Sequence, residues 1–363
     1  MHKIFYTLFF VLILSFQGLE AQTKVEKHTD VGGKKSPGVV YSLPQTKVRL
    51  HLLVEKKVST PGIYARFSRQ HLGLEAISVA RTAYELRGVQ LEAYGVPDKN
   101  KVYHIQFKEG STAPFVMLTE DGLLCAINTE YTPNKAEPFA EQIRKEEEQK
   151  VFRKEPAFSP EYLQATSPQK RAEIAAREIH SLREARTSIV SGEAEQSFPD
   201  GQAMKLALDN ISTQERALAE LFTGYTTSTL ERITVDNLSV DSVSNSVAFR
   251  FSVMEGVLDK DDLSGEPVYM QVKIEDEAPV LTPKEAEKAE KALKGIVYNR
   301  PGRVEITLKR NGKTLLQEKV YIAQLGTKEA LAPALFNNKK NAPAVIRLTF
   351  FPATGALERI YEQ

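Results

Sequence analysis

Between Phe249 and Tyr269 the chain reads FRFSVMEGVLDKDDLSGEPVY, and this stretch narrows the choice of fold more than any other. Val247, Phe249 and Phe251 alternate with Ala248, Arg250 and Ser252, the period of two that sets apolar side chains on one face of a strand. Asp259, Lys260, Asp261, Asp262, Ser264, Gly265 and Pro267 then supply turn chemistry, because Asp and Ser side chains bond to nearby backbone groups and Gly tolerates a positive φ. A second strand resumes at Val268. Three aspartates so close together pose a calcium question, which spacing answers. With Asp259 at position one, Leu263 falls at five, Gly265 at seven instead of six, and Met270 where a bidentate Glu belongs. The stretch therefore reads as a capped turn between two antiparallel strands, without a metal.

The first residues have the form of a secretion signal over 1–21: Lys3, the apolar run Phe5 to Leu14, and Leu19-Glu20-Ala21 as a cleavage site before Gln22. Export to the periplasm or to an outer-membrane-associated location is the expectation. The run is short of the ~20 apolar residues that a spanning helix needs, and no later stretch reaches that length, so no transmembrane segment is expected in the mature chain. Lys and Arg number 48 against 47 Asp and Glu, without a concentrated basic stretch, which argues against a nucleic-acid partner. Cys125 stands alone and cannot form an intramolecular disulfide, so packed cores must supply the stability.

Taken in order, residues 22–39 are polar and rich in Gly and Lys, a flexible leader containing His28. From 40 to 130 the patterns are strand-like, with Val48, Leu50 and Leu52 alternating, Pro61 to Gly73 as a short capped helix, and Glu120-Asp121-Gly122 as a hairpin turn. Residues 131–165 are heavily charged with both signs interleaved, a linker or solvated helix. Over 166–228 two amphipathic stripes appear. Ala172, Ala175, Ile179, Leu182 and Ile189 form the first, with Arg186 in one slot. Met204, Leu208, Ile211, Leu218 and Leu221 form the second, with Glu215 in one slot. Ser167-Pro168 starts the first helix and a short polar loop separates the two, so an antiparallel helical hairpin is expected. From 229 to 363 strand patterns return, with Asn311-Gly312 as a further hairpin turn, which suggests a β-sandwich-like unit. The expected class is α+β: two strand-rich, sandwich-like domains separated by the helical hairpin.

Several stretches together resemble one family. They are YSLPQT (41–46), PGIYARFSRQHLG (61–73), TEDGLL (119–124), LFTG (221–224), DDLSGEPVY (261–269), YNRPGRVEITL (298–308) and AQLGT (323–327). In this order they resemble the envelope family catalogued as domain of unknown function 4831. The resemblance implies a secreted protein of Gram-negative bacteria and brings no catalytic residues with it.

The chain lacks GxSxG, HExxH, a phosphate-cradling GxxxxGK[ST] and paired cysteines. His51 reads as a surface imidazole among the outward positions of its strand, and no second His or Cys stands at metal spacing. His180, with Glu173, Glu178 and Glu184 nearby, reads as part of a solvated helix face, and Cys125 as a small buried side chain within LLCAI. No catalytic, cofactor-binding or metal-binding residue is assigned, and no cofactor is expected. A non-catalytic binding, scaffold or assembly protein, partnered by other envelope proteins or glycans, is the first reading. A hydrolase of glycans or peptides, its site formed by carboxylates distant in sequence, is the second.

Overall fold

The computed structural model describes residues 24–27, 38–106, 115–133, 137–149, 155–193, 198, 200–240, 242–332 and 346–362. Among the described residues the fold is α+β with three antiparallel sheets. The first runs in the order β1 (Lys24–Lys27), β3 (Arg81–Gln106), β2 (Gly38–Thr60), β6 (Tyr225–Leu238). The second runs β11 (Lys313–Leu331), β10 (Ile296–Arg310), β9 (Glu266–Asp276), β7 (Ser244–Ser252), β8 (Gly256–Leu258). The third runs β13 (Ala356–Glu362), β12 (Ile346–Phe351), β5 (Leu124–Ile127), β4 (Val116–Leu118).

Two long ribbons, β2–β3 and β10–β11, each pass through two hydrophobic cores. Val48, Leu50, Leu52 and Val54 of β2 share the first core with Phe249, Phe251, Val304 and Ile306. Tyr41 and Leu43 of the same strand share the second with Tyr103, Ile296, Leu348 and Phe350. The buried positions change from odd to even along β2 because its pairing with β3 shifts register between Ser42 and Pro44, and such a shift moves the following side chains to the opposite face. A shift between Arg300 and Gly302 divides β10 in the same way.

At these bends the ribbons lock together. The Thr46 amide donates to Gln324 Oε1 at 2.8 Å and the Gln324 amide returns a bond to Thr46 O at 2.9 Å. Thr46 Oγ1 accepts from the Ala323 amide at 3.0 Å and donates to Ala353 O at 2.9 Å. The Tyr41 hydroxyl donates to Val297 O and accepts from the Val297 amide, both at 2.9 Å. A Cβ at Gly326 would lie 1.9 Å from Arg300 O, so only glycine permits this approach.

The sheets correct the expectation of two strand-rich units at 40–130 and 229–363. β6 belongs with β2, and β12–β13 belong with β4–β5, so segments from both halves complete each other's sheets and cores. The leader over 22–39 is also corrected, since Lys24–Lys27 pairs with β3 and β2 begins at Gly38. Backbone pairing, not side-chain period, forms that short strand, which is why the sequence pattern did not reveal it. The expected signal over 1–21 and His28 lie outside the described residues.

Among the described residues the α-helices are α1 (Ser68–Leu72), α2 (Ala140–Gln149), α3 (Pro160–Gln164), α4 (Pro168–Ser191), α5 (Gly201–Thr223) and α6 (Pro283–Ala292). Ser167 caps α4 by accepting from the Lys170 amide, and Asp200 caps α5 through the Ala203 amide. The first half of α4, with Ala172, Ile174, Ala175 and Ile179, packs on the last turns of α5 at Leu218, Leu221 and Phe222, beside Tyr64 and Tyr162. The two polar interruptions of the stripes meet: Glu215 accepts from Arg183 Nε at 2.7 Å and from Arg186 at 2.9 Å. Toward the α4–α5 loop, Ile189, Met204, Leu208 and Ile211 are half-buried only.

Candidate functional site

One face of the third sheet closes the second core through Leu124, Leu348 and Phe350. The other face carries Met117, Ala126, Thr349 and Arg359 as a row across all four strands, because each is directly paired to the next. Phe351 and Thr349 alternate along β12 on this same side. Between Thr349 and Phe350 the pairing with β13 slips: Arg359 lies opposite Thr349 while Leu357 lies opposite Phe350, which leaves Glu358 as the bulged residue. Glu358 and Arg359, adjacent in sequence, therefore both line the concavity that covers this face.

A wall rises beside it. After β5 the chain turns at Asn128, where φ is 56°, a value Asn tolerates better than most side chains. The Asn128 amide group donates to Ile346 O at 2.9 Å and its Oδ1 accepts from the Phe115 amide at 3.1 Å. The Thr129 hydroxyl lies 2.9 Å from that of Tyr361. These bonds hold Glu130, Tyr131 and Thr132 against an open concavity of about 1110 Å³. Phe351 and Tyr361 present their rings to solvent there, 48% and 38% exposed. Burial raises the Tyr131 hydroxyl above the ordinary tyrosine range, with help from the nearby Cys125 and Glu358. Thr349 Oγ1 and Arg347 Nε are buried without a hydrogen-bond partner among the described residues. The arrangement offers rings for stacking, two carboxylates, one guanidinium and a hydroxyl for hydrogen bonding.

The residues singled out from sequence lie elsewhere. His51 is corrected: it is buried, with Nε2 2.7 Å from Glu92 Oε2, because the pairing of β2 with β3 brings Glu92 diagonally across from it. Arg49 joins Glu92 and also pairs with Asp236, which ties β2 to both neighbours. The Asp259 and Asp262 carboxylates spend their bonds locally. Asp259 Oδ1 accepts from the Asp261 amide at 3.0 Å and Asp262 Oδ1 from the Ser264 amide at 2.9 Å, while Arg250 donates to Lys260 O and Gly265 O. His180 Nε2 lies 3.2 Å from His71 O, Glu173 pairs with Lys170, and Glu184 is exposed. Cys125 is buried, and burial pushes its thiol up to about 11, away from the thiolate a nucleophile requires. No group of three or more His, Cys, Asp and Glu able to hold a metal occurs among the described residues. Sequence reading missed the third-sheet face because β4–β5 and β12–β13 are far apart in the chain, and the bulge that turns Glu358 inward exists only once they pair.

No helix among the described residues is long and apolar enough to cross a membrane. The family model described as a domain of unknown function (DUF4831) matches residues 37–358. No curated protein matches the chain, and no solved structure does.

Proposed function

Because the chain belongs to the family described as a domain of unknown function (DUF4831), which supplies no catalytic residues to transfer, we propose a non-catalytic binding or scaffold role in the cell envelope. The protein is exported, to the periplasm or in association with the outer membrane, and presents the outer face of the third sheet to another envelope protein or to a glycan. One observation carries this reading: a concavity on a sheet backed by a packed core holds exposed rings beside charged groups. Binding surfaces combine such aromatic area with a few placed polar groups.

The test is an array of envelope glycans and peptides probed with the wild-type chain and with Phe351→Ser and Tyr361→Ser. Each ring contributes about 0.5–1.5 kcal/mol through stacking beyond its area, so each variant should bind roughly 2- to 10-fold more weakly, with an unchanged melting temperature for Phe351→Ser, while Tyr361→Ser also loses the bond to Thr129. Binding that both variants retain in full would remove the site from this face.

Glu130 and Glu358 line the same concavity, and this favours hydrolysis as the second reading. Turnover of an array ligand that Glu358→Gln abolishes while binding survives would establish it over the first.

A further inference from the structure

Taking the third-sheet concavity as the binding surface, we propose that its ligand is an extended peptide lying along β13, with a lysine ammonium set among Glu130, Glu358 and the rings of Tyr131, Phe351 and Tyr361. Four successive residues, Glu358 to Tyr361, line the concavity. Successive side chains of a strand point to opposite faces, so a hollow that touches all four extends along the strand's edge as well as over one face. Beyond its start, where β10 lies beside it and the Asn299 amide donates to Gly355 O, that edge is unpaired: among the described residues β13 pairs with β12 alone and stands at the end of its sheet. An open edge offers backbone donors and acceptors to an added strand, while hollows beside it select side chains.

The bulge at Glu358 limits how much of the edge is regular, leaving Arg359–Glu362 to pair. So short a ladder is weak on its own, and bulges of this kind discourage indiscriminate edge pairing. Recognition must then rest on side-chain chemistry. Two carboxylates, Glu130 and Glu358, line the concavity beside Arg359, with Arg347 on the same side of β12, so the cation is drawn by the placement of the carboxylates and by the faces of the rings, whose quadrupoles attract it. Arg359, beside the bulge, suits a backbone carbonyl of the same peptide, since its fork donates and never accepts. An amino sugar carries the same ammonium but lacks the backbone amides that would pair with β13.

The experiment is a calorimetric titration of the full chain with an end-blocked Val-Lys-Val-Lys-Val peptide. Three comparison ligands accompany it: the same peptide with acetylated lysines, the same peptide with N-methylated amides, and a glucosamine oligomer. The lysine peptide should bind, with affinity falling about tenfold on acetylation and by a similar factor in Glu358→Gln or Glu130→Gln. Equal binding of the acetylated peptide, or no loss in either variant, overturns the ammonium assignment. Binding of the sugar oligomer in place of the peptides overturns the peptide while leaving the surface reading intact. Tight binding of the N-methylated peptide removes the strand edge. Failure of every ligand rejects the proposal, and the array with Phe351→Ser and Tyr361→Ser then decides separately whether this face binds anything.

Discussion

Tyr41 bridges two sheets with a single hydroxyl, since both the amide and the carbonyl of Val297 depend on it inside the second core. Tyr41→Phe keeps the ring and deletes the bond, which leaves a buried N–H unpaired, so it should lower stability by about 1–3 kcal/mol in urea unfolding. Glu55 shows a second residue-scale effect. Burial opposes its charge, but hydrogen bonds from Ser228 and Arg87 and the fields of Arg87 and Lys57 outweigh this and hold the carboxyl below the usual carboxylate range. The unfolded chain therefore takes up the proton first. The contribution is complete above the unfolded value of about 4.3 and is lost as pH falls through the lower folded value. Glu55→Gln should reduce the melting temperature at neutral pH and flatten its decline in acid, as thermal scans across pH would report. At this scale the sequence was legible where chemistry is local, at the Ser167 cap and at Asn311-Gly312, whose φ values are 49° and 77°. It misled at His51, read as a surface imidazole, whose burial depends on the register of two strands.

The helices α4 and α5 show how far a periodic stripe can be read. Both were placed from spacing, with Ser167-Pro168 and the polar loop marking their bounds, yet the stripe does not tell which half is buried. The core lies where the helices meet Tyr64 and Tyr162, and Ile174, outside the expected stripe, is buried there. Leu218 is almost completely buried while Leu208 is half-exposed. Leu218→Ala should cost about 2–5 kcal/mol through lost transfer energy and the cavity it leaves, and Leu208→Ala clearly less, with chemical denaturation as the check. Arg186 and Glu215 looked like flaws in two separate stripes until the packing showed that they pair. The bulge at Glu358 belongs to the same class: it is a relation between elements, and neither strand encodes it alone.

For the whole molecule the expected division at 130 and 229 fails because pairing ignores it. Three of the stretches that carry the family resemblance, 41–46, 298–308 and 323–327, meet where the two ribbons bend and lock, Thr46 with Ala323 and Gln324 and Arg300 with Gly326 and Thr327. Strand content and class were legible from alternation. The meeting of Tyr41 with Val297, 256 residues apart, was not, since one sequence shows periodicity but not which strands associate. Fragments 40–130 and 229–363, produced separately, would each lack strands of the first and third sheets, the first core losing Val48, Leu50, Leu52 and Val54 and the second core being divided. Neither should give dispersed amide NMR spectra, whereas the intact chain should. A well-dispersed spectrum from either fragment would restore the independent units.

The Asn128 amide that closes on Ile346 O spans 218 residues, and Leu348 and Phe350 beyond it seal the second core. A ribosome releases the chain from its N-terminus, so Tyr41, Ile105 and Ile127 leave the exit tunnel long before their partners are made. Until then their greasy faces remain open to holding factors, and the slow step of assembly is the encounter of distant strands. Such a chain cannot close its second core until β12 has been made.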